Sequence, residues 1–512
     1  MRIKKFCRPI RMISALTVLL FVISLFAACS DDSAPSSSRQ QTSSASQTQS
    51  SSSSQQENVS SEPSDDPEDY DGHPYLAEKV DLNGLEVIFA VPNDLVIPKD
   101  DSTEINGEIL DSLRRIQKDY NCRISSMQIE YGDWDDIISA LAAGEEYADV
   151  LLPCIHQTAD FFEANICADF TSPEISRYID MSRPWWNDSV MQAANVGGKV
   201  YAAAPCISDT IGVASVVLFD KDVLEDIGHE SDELYSLYHK GEWTWDALAK
   251  YAKKANKDLD KDGKLNGFDD RCGLVGSGYN TARAFSATAG VSVFAVENGK
   301  NAVYSLNTEH AIKTLERLNS FFNTEDIFCD TSWDSTTRRD VVMFKDDLAL
   351  FSFTWFLNLD SFSKNKAGRV GVLPLPLGPD ENGGWQKEYV SLGDHNFRVA
   401  LIPKTVKDKE GTALVLEALA FDRWKLMYGK LDRVLESIEA DEQTAQIARD
   451  IYGYVTFEAD QFLYTYEQYK WNTLTSGIFR GIVRQKDYDV KGLVNARAKE
   501  AQALLNKYYG NS

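Results

Sequence analysis

LEVIFAV, residues 85–91, is a compact apolar run, and its sequel decides the fold. Ile109, Leu110, Leu113, Ile116 and Tyr120 follow at helical spacing, and ISSMQIEY (124–131) reads as a second strand. Trp134, Ile137, Ile138, Leu141 and Ala142 then mark a helix ended by Gly144, after which ADVLLP (148–153) is a third strand. Parallel strands need crossover connections, so a β-α-β-α-β order predicts an α/β fold with a parallel sheet and helices on both faces. Ligands gather at the carboxyl ends of such strands. Here those ends are Pro92-Asn93-Asp94 and Pro153 to Gln157.

A second block starts near residue 212 with GVASVVLFD (212–220), followed by a short helix closing on Gly228. WTWDALAKYAKKAN comes next, with Thr244 as the helix cap and Leu248, Tyr251 and Ala252 on one face. Further helices are expected over 308–322 and 337–346, and extended segments at LALFSF (348–353), GRVGVLPLP (368–376) and VALIP (399–403). The remainder reads as mainly helical. From Leu82 to Tyr509 there are roughly 430 residues, too many for one core and enough for two lobes.

Upstream, MRIKKFCRPIRMISALTVLLFVISLFAACS carries Arg2, Lys4, Lys5, Arg8 and Arg11 ahead of an apolar run from Ile13 to Ala28. That run is short for a permanent span of about 20 residues. Ala27 and Ala28 before Cys29 resemble a bacterial lipoprotein signal, although Phe26 stands where Leu is usual. The expectation is a signal at 1–28, a lipidated Cys29 and an extracytoplasmic, membrane-anchored product. Residues 29–79 are Ser- and Gln-rich at first and cannot bury enough apolar surface to order, so they read as a tether with a reach of roughly 40 Å.

The five basic residues of the signal leave 47 of the 52 in the mature chain against all 78 acidic ones, a formal charge of −31. Nucleic acid and anionic lipid surfaces are poor partners for such a protein. Cys122, Cys154, Cys167, Cys206, Cys272 and Cys329 are too sparse for a disulfide framework, so buried free thiols are the default, with room for one or two bridges.

Several stretches, taken in order, resemble the extracellular solute-binding proteins, family 1 sugar-binding type, that serve ABC importers. They are the opening at 85–120, LAAGEEYADVLLP, GGKVYAAAP (197–205), VVLFDKDVLEDIG (216–228), WTWDALAKYAKKA, ALFSFTW (349–355) and VGVLPLPLGP (370–379). One departure is Asp347, where that family more often has Gly. The resemblance implies a two-lobe periplasmic-binding-protein-like fold of type II, with a ligand clamped between lobes at 80–206 plus 390–430 and 207–389 plus 431–512. Crossovers would fall near Tyr201 to Ile211 and Val390 to Arg398. It also implies a monomer that captures a carbohydrate, as expected for an oligosaccharide receptor, and delivers it to a permease without enzymatic chemistry.

Sugar capture needs flat apolar faces together with polar groups for the hydroxyls. Trp355 is the foremost candidate, because it follows a strand whose end faces the cleft in similar proteins. Trp185 or Trp186, Tyr201 and Trp333 are further aromatic candidates, whereas Trp243 and Trp245 read as helix-entry packing. Polar candidates are Asn93, Asp94, His156, Gln157, Asp394, His395 and Asn396, each of which could equally be a turn former. Of these, SLGDHNF (391–397) stands out because it lies at a predicted crossover.

DLDKDGKLNGFDD (258–270) places Asp258, Asp260 and Asp262 at alternate positions, Gly263 sixth, Lys264 seventh and Asp269 twelfth. That spacing approaches a calcium loop, with Lys264 offering its carbonyl. A structural Ca²⁺ stiffening the second lobe is one reading, and an acidic turn without metal is the other. No HExxH, GxSxG, phosphate-cradling loop or Cys-His motif is present. Glycoside hydrolysis needs only two facing carboxylates, so an anchored glycosidase or a surface polysaccharide-binding protein is the alternative.

Overall fold

Thr103 starts the first helix by accepting the Asn106 N–H at 3.2 Å, and the stripe Ile109, Leu113 and Ile116 buries Glu104–Asp119 against the first sheet. The computed structural model describes residues 80–510 apart from 93, 131, 208, 210–211, 264, 266–268, 298, 324–325 and 333–335. The expected signal, Cys29 and the tether therefore lie outside the described residues.

The strands in chain order are β1 (Leu85–Val91), β2 (Cys122–Gln128), β3 (Val150–Leu151), β4 (Asn195–Val196), β5 (Lys199–Val200), β6 (Ser215–Asp220) and β7 (Cys272–Gly276). They continue as β8 (Phe294–Glu297), β9 (Lys300–Tyr304), β10 (Phe328–Asp330), β11 (Ala349–Trp355), β12 (Val370–Leu373), β13 (Ser391–Leu392) and β14 (Val455–Thr456). A first sheet has the order β2-β1-β3 and is parallel throughout, as the opening crossovers require. A second has the order β10-β7-β11-β6-β12 and is mixed, with β6 antiparallel to both β11 and β12. The fold is therefore α/β with helices packed on mixed and parallel sheets.

Two apolar cores follow from this. One gathers Val87, Phe89, Val150 and Ile402 around the first sheet, and the other includes Val217, Leu274, Phe351 and Val372 of the second. The 29-residue helix Lys409–Ser437 passes between them: Leu414, Leu419 and Trp424 belong to the first core, whereas Leu431 and Leu435 belong to the second. At 1.5 Å per residue it is about 44 Å long. The boundary expected at residue 430 falls inside this continuous helix.

The VALIP segment forms no full strand. Instead, Leu401 bridges Leu151 and Ala400 bridges Ala203, so the returning chain edges the first sheet with single antiparallel pairs. Close packing elsewhere demands glycine. A Cβ at Gly273 on β7 would lie 2.2 Å from the backbone oxygen of Ala252, in the helix Trp245–Ala255.

Cys272 and Cys329 form a disulfide with Cα atoms 6.3 Å apart, joining β7 to its neighbour β10 at one edge of the second sheet. The default of free thiols is corrected at this pair. It holds for Cys122, Cys154, Cys167 and Cys206, which are buried and not disulfide-bonded. Burial pushes the Cys122 thiol up to about 11 and that of Cys167 up to about 12. Among the described residues no helix is long and apolar enough to cross a membrane.

Candidate functional site

Trp355 ends β11 directly opposite Ser215, the first residue of β6. The chain returning through 391–394 is fastened to that end: Ser391 Oγ donates to the Ser215 carbonyl at 2.8 Å and Ser215 Oγ donates to the Leu392 carbonyl. The Asp394 N–H reaches the Val213 carbonyl at 3.1 Å. Trp355 is thereby placed, half-buried, beside Asp394, and its ring meets Phe353 edge-on at 6.0 Å. Two adjoining hollows share Asn280, Phe353, Trp355 and Asp394.

The wider hollow, about 430 Å³, is walled by Thr331, Ser332, Arg338, Asp340, Leu357 and Asn358. Arg338 is braced on both sides. Its Nε and Nη2 donate to Asp340 at 3.2 and 3.1 Å, and its Nη1 donates to Asn358 Oδ1 at 3.2 Å. Asn358 in turn donates to Thr354 Oγ1 at 3.1 Å. Such a chain holds hydrogen-bonding groups rigidly around an aromatic face, which suits a ligand carrying many hydroxyls.

The narrower hollow is bounded by Arg283, Asp394, His395, Asp460, Tyr464 and Trp471. His395 stacks on Tyr464 with ring centroids 5.9 Å apart and planes 8° apart, and its Nδ1 lies 3.3 Å from Asp394 Oδ1. Burial pushes the His395 imidazole down, while the Asp394 charge opposes that shift. Buried His156 donates from Nδ1 to the His395 carbonyl at 3.0 Å, and burial holds its imidazole near 4. Arg283 Nη2 donates to Glu458 and Asp460, each at 2.9 Å. Burial lifts the Glu458 carboxyl above the usual carboxylate range even though Arg283 pulls it down.

Of the expected residues, Trp355, Asp394 and His395 line these hollows, and His156 supports them from behind. The others fall elsewhere. Trp185 and Trp186, expected at the cleft, are buried: their indole N–H groups donate to Glu417 Oε1 and Oε2, both at 2.7 Å. Tyr201 packs on Phe162 at 5.7 Å. Asp94 accepts from Gln128 and pairs with Lys99 at 2.9 Å. Gln157 is a turn former, accepting the Cys154 N–H at 3.0 Å, and exposed Asn396 donates to Asp394 at 3.0 and 3.1 Å. Trp243 and Trp245 are packed into the core, as expected. Asn93, Trp333 and Lys264 lie outside the described residues.

Sequence reasoning missed Arg283, Arg338, Asp340, Asn358, Asp460 and Trp471. Nothing local marks them, because each acquires its place only when distant segments meet. In the acidic loop, carboxylate oxygens of Asp258, Asp260, Asp262 and Asp270 lie within 4.8 Å of one another. The fourth member is thus Asp270, whereas Asp269 was expected. Asp270 is fully buried and accepts the Leu259 N–H at 2.8 Å.

No protein-family model matches the chain, and no curated protein matches it in sequence. Solved structures do match in fold. The GacH receptor of Streptomyces glaucescens, described unliganded and with acarbose, shares 14% identity at a TM-score of 0.53, covering 83% of this chain and 99% of that one. An ABC substrate-binding protein of Listeria monocytogenes in complex with cycloalternan shares 15% at 0.52, covering 84% and 100%. The cyclic alpha-maltosyl-1,6-maltose binding protein of Arthrobacter globiformis shares 12% at 0.57, covering 83% and 100%. The chain has the two-lobe, type II fold of the sugar-binding ABC solute-binding proteins.

Proposed function

We propose that this protein is the substrate-binding subunit of an ABC importer and captures a carbohydrate, an oligosaccharide in particular, by closure of its two parts. The observation that carries this reading is the placement of Trp355: a half-buried aromatic face at a strand end, beside the crossover residue Asp394 and the braced Arg338–Asn358 wall. A ligand touching both parts favours the closed form, because only there are all contacts made together. The neighbours whose titles name acarbose, cycloalternan and a cyclic maltosyl-maltose support the ligand class. No covalent step is needed. A thermal-shift screen of oligosaccharides tests this, since a ligand that binds only the folded state raises the melting temperature. No shift with any carbohydrate rejects the reading.

The surrounding assignments rest on sequence. Cys29, lipidated after removal of 1–28, would anchor the protein on the outer face of the membrane, where a monomer would present its closed form to two permease subunits. Loss of membrane association in Cys29→Ala tests the anchor. We also propose that the 258–270 loop takes a structural Ca²⁺, supported by the gathering of Asp258, Asp260, Asp262 and Asp270, whose hard oxygen donors suit that ion. A calcium titration that leaves the melting temperature unchanged, with no ion bound, rejects it.

A further inference from the structure

Arg283 and Trp471 come from the helices Gly278–Thr288 and Tyr466–Arg484, and both border the narrower hollow beside Trp355. They are 7% and 1% exposed. The Arg283 guanidinium is fixed on two sides, by Glu458 and Asp460 through Nη2 and by the Phe479 ring, whose centroid is 5.0 Å from Cζ. Its Nη1 has no hydrogen-bond partner among the described residues, and neither has Nε1 of Trp471. Both groups can only donate. Two buried donors without acceptors in one wall are costly.

The acids that hold Arg283 belong to a different part of the seam. Phe457, next to Glu458, donates its N–H to Ser189 Oγ at 3.1 Å, and Gln461 donates to the Gly393 carbonyl at 2.8 Å. The segment 457–461 therefore leans on the crossover, whereas Arg283 rides on the helix that follows β7. A movement of one part against the other changes what these donors face.

We infer that Arg283 and Trp471 form an acceptor-seeking subsite at the floor of the cleft, taking hydroxyl or ring oxygens of a neutral carbohydrate that arrives as the parts close. The inference rests on the carbohydrate reading and adds residues and ligand chemistry to it. Asp460 already answers the Arg283 charge and Glu458 supplies a further acceptor, so an oxygen with lone pairs suffices and a formal anion is not called for. An ammonium, which only donates, finds no acceptor in either group.

The test uses the full chain with Trp471→Phe, which removes only the N–H and part of the ring, and Arg283→Lys, which keeps the charge for Glu458 and Asp460. Melting of the unliganded proteins is measured beside calorimetric titration with a panel of neutral, amino and uronate-bearing oligosaccharides. For Trp471→Phe the expected result is an unliganded melting temperature that does not fall, together with affinity for the neutral ligand weakened about 3- to 10-fold. Arg283→Lys weakens the same ligand at least as much. A Trp471→Phe protein that binds like the wild type, or that melts lower with unchanged affinity, overturns the subsite. Uronate or amino ligands binding tightest overturn the neutral-oxygen assignment. A wild type that binds no carbohydrate overturns the functional reading itself, and the subsite with it.

Discussion

Ala203 and Ala400 face one another as an antiparallel pair, each N–H donating to the other's carbonyl, at 3.0 and 2.8 Å. Both residues belong to the core around the first sheet, so this pair fastens the chain returning through 399–402 to the segment at 200–204.

Replacing Ala400 with Pro removes one of these bonds in a fully buried setting. Stability is expected to fall by about 3 kcal/mol. Urea unfolding of wild type and variant measures the loss, and an unchanged midpoint would show that the pair carries no weight.

Trp355→Ala is expected to weaken carbohydrate binding by about 1–3 kcal/mol while barely moving the melting temperature, since the ring is only half-buried. Calorimetric titration measures it. A large loss of stability with unchanged affinity would return Trp355 to the core.

Much of the fold was legible because periodicity reports burial. The strands at 85, 124 and 148 and the helices between them follow from apolar spacing, which the parallel β2-β1-β3 sheet satisfies. Of the residues lining the two candidate hollows, the sequence pointed only to Trp355, Asp394 and His395, which lie at a strand end or in the 391–397 stretch. Trp185 and Trp186 misled because an adjacent aromatic pair followed by Asn187 and Asp188 looks like a sugar platform. Nothing nearby in sequence announces Glu417, more than 230 residues on, which accepts both indoles. Arg283 is likewise silent until Glu458 and Asp460 reach it. Asp347, where the sequence resemblance led one to expect Gly, has a φ of 58°: the backbone there is left-handed, which Asp tolerates better than most residues.

Glu417 sets a pH dependence. Burial raises its carboxyl from an ordinary 4.5 to about 8, so the folded state holds this proton more tightly than the unfolded chain. Its contribution is complete below pH 4.5 and is lost as pH rises toward 8. Glu417→Gln should lower stability by about 1 kcal/mol through one lost acceptor, yet flatten the decline between pH 6.5 and 8. Buried His156 acts on the other side, costing stability as pH falls from 6.5 toward 4. Unfolding curves across this range measure both slopes, and parallel curves for wild type and Glu417→Gln would contradict the assignment.

The Cys272–Cys329 bridge closes a loop across a sequence separation of 57. Its reduction should cost about 2–4 kcal/mol. Cys122, Cys154, Cys167 and Cys206 are buried and should stay unreactive toward a thiol reagent until the protein unfolds. Counting accessible thiols before and after denaturation checks this, with early reaction of any of the four as the contrary result.

The most direct measurement is titration of the protein with oligosaccharides by calorimetry, with chromatography of the ligand afterwards. Saturable binding, an unaltered ligand and weakened binding in Trp355→Ala are expected of a receptor that closes on its sugar. Cleavage of the oligosaccharide, or the absence of binding by any carbohydrate, would contradict it.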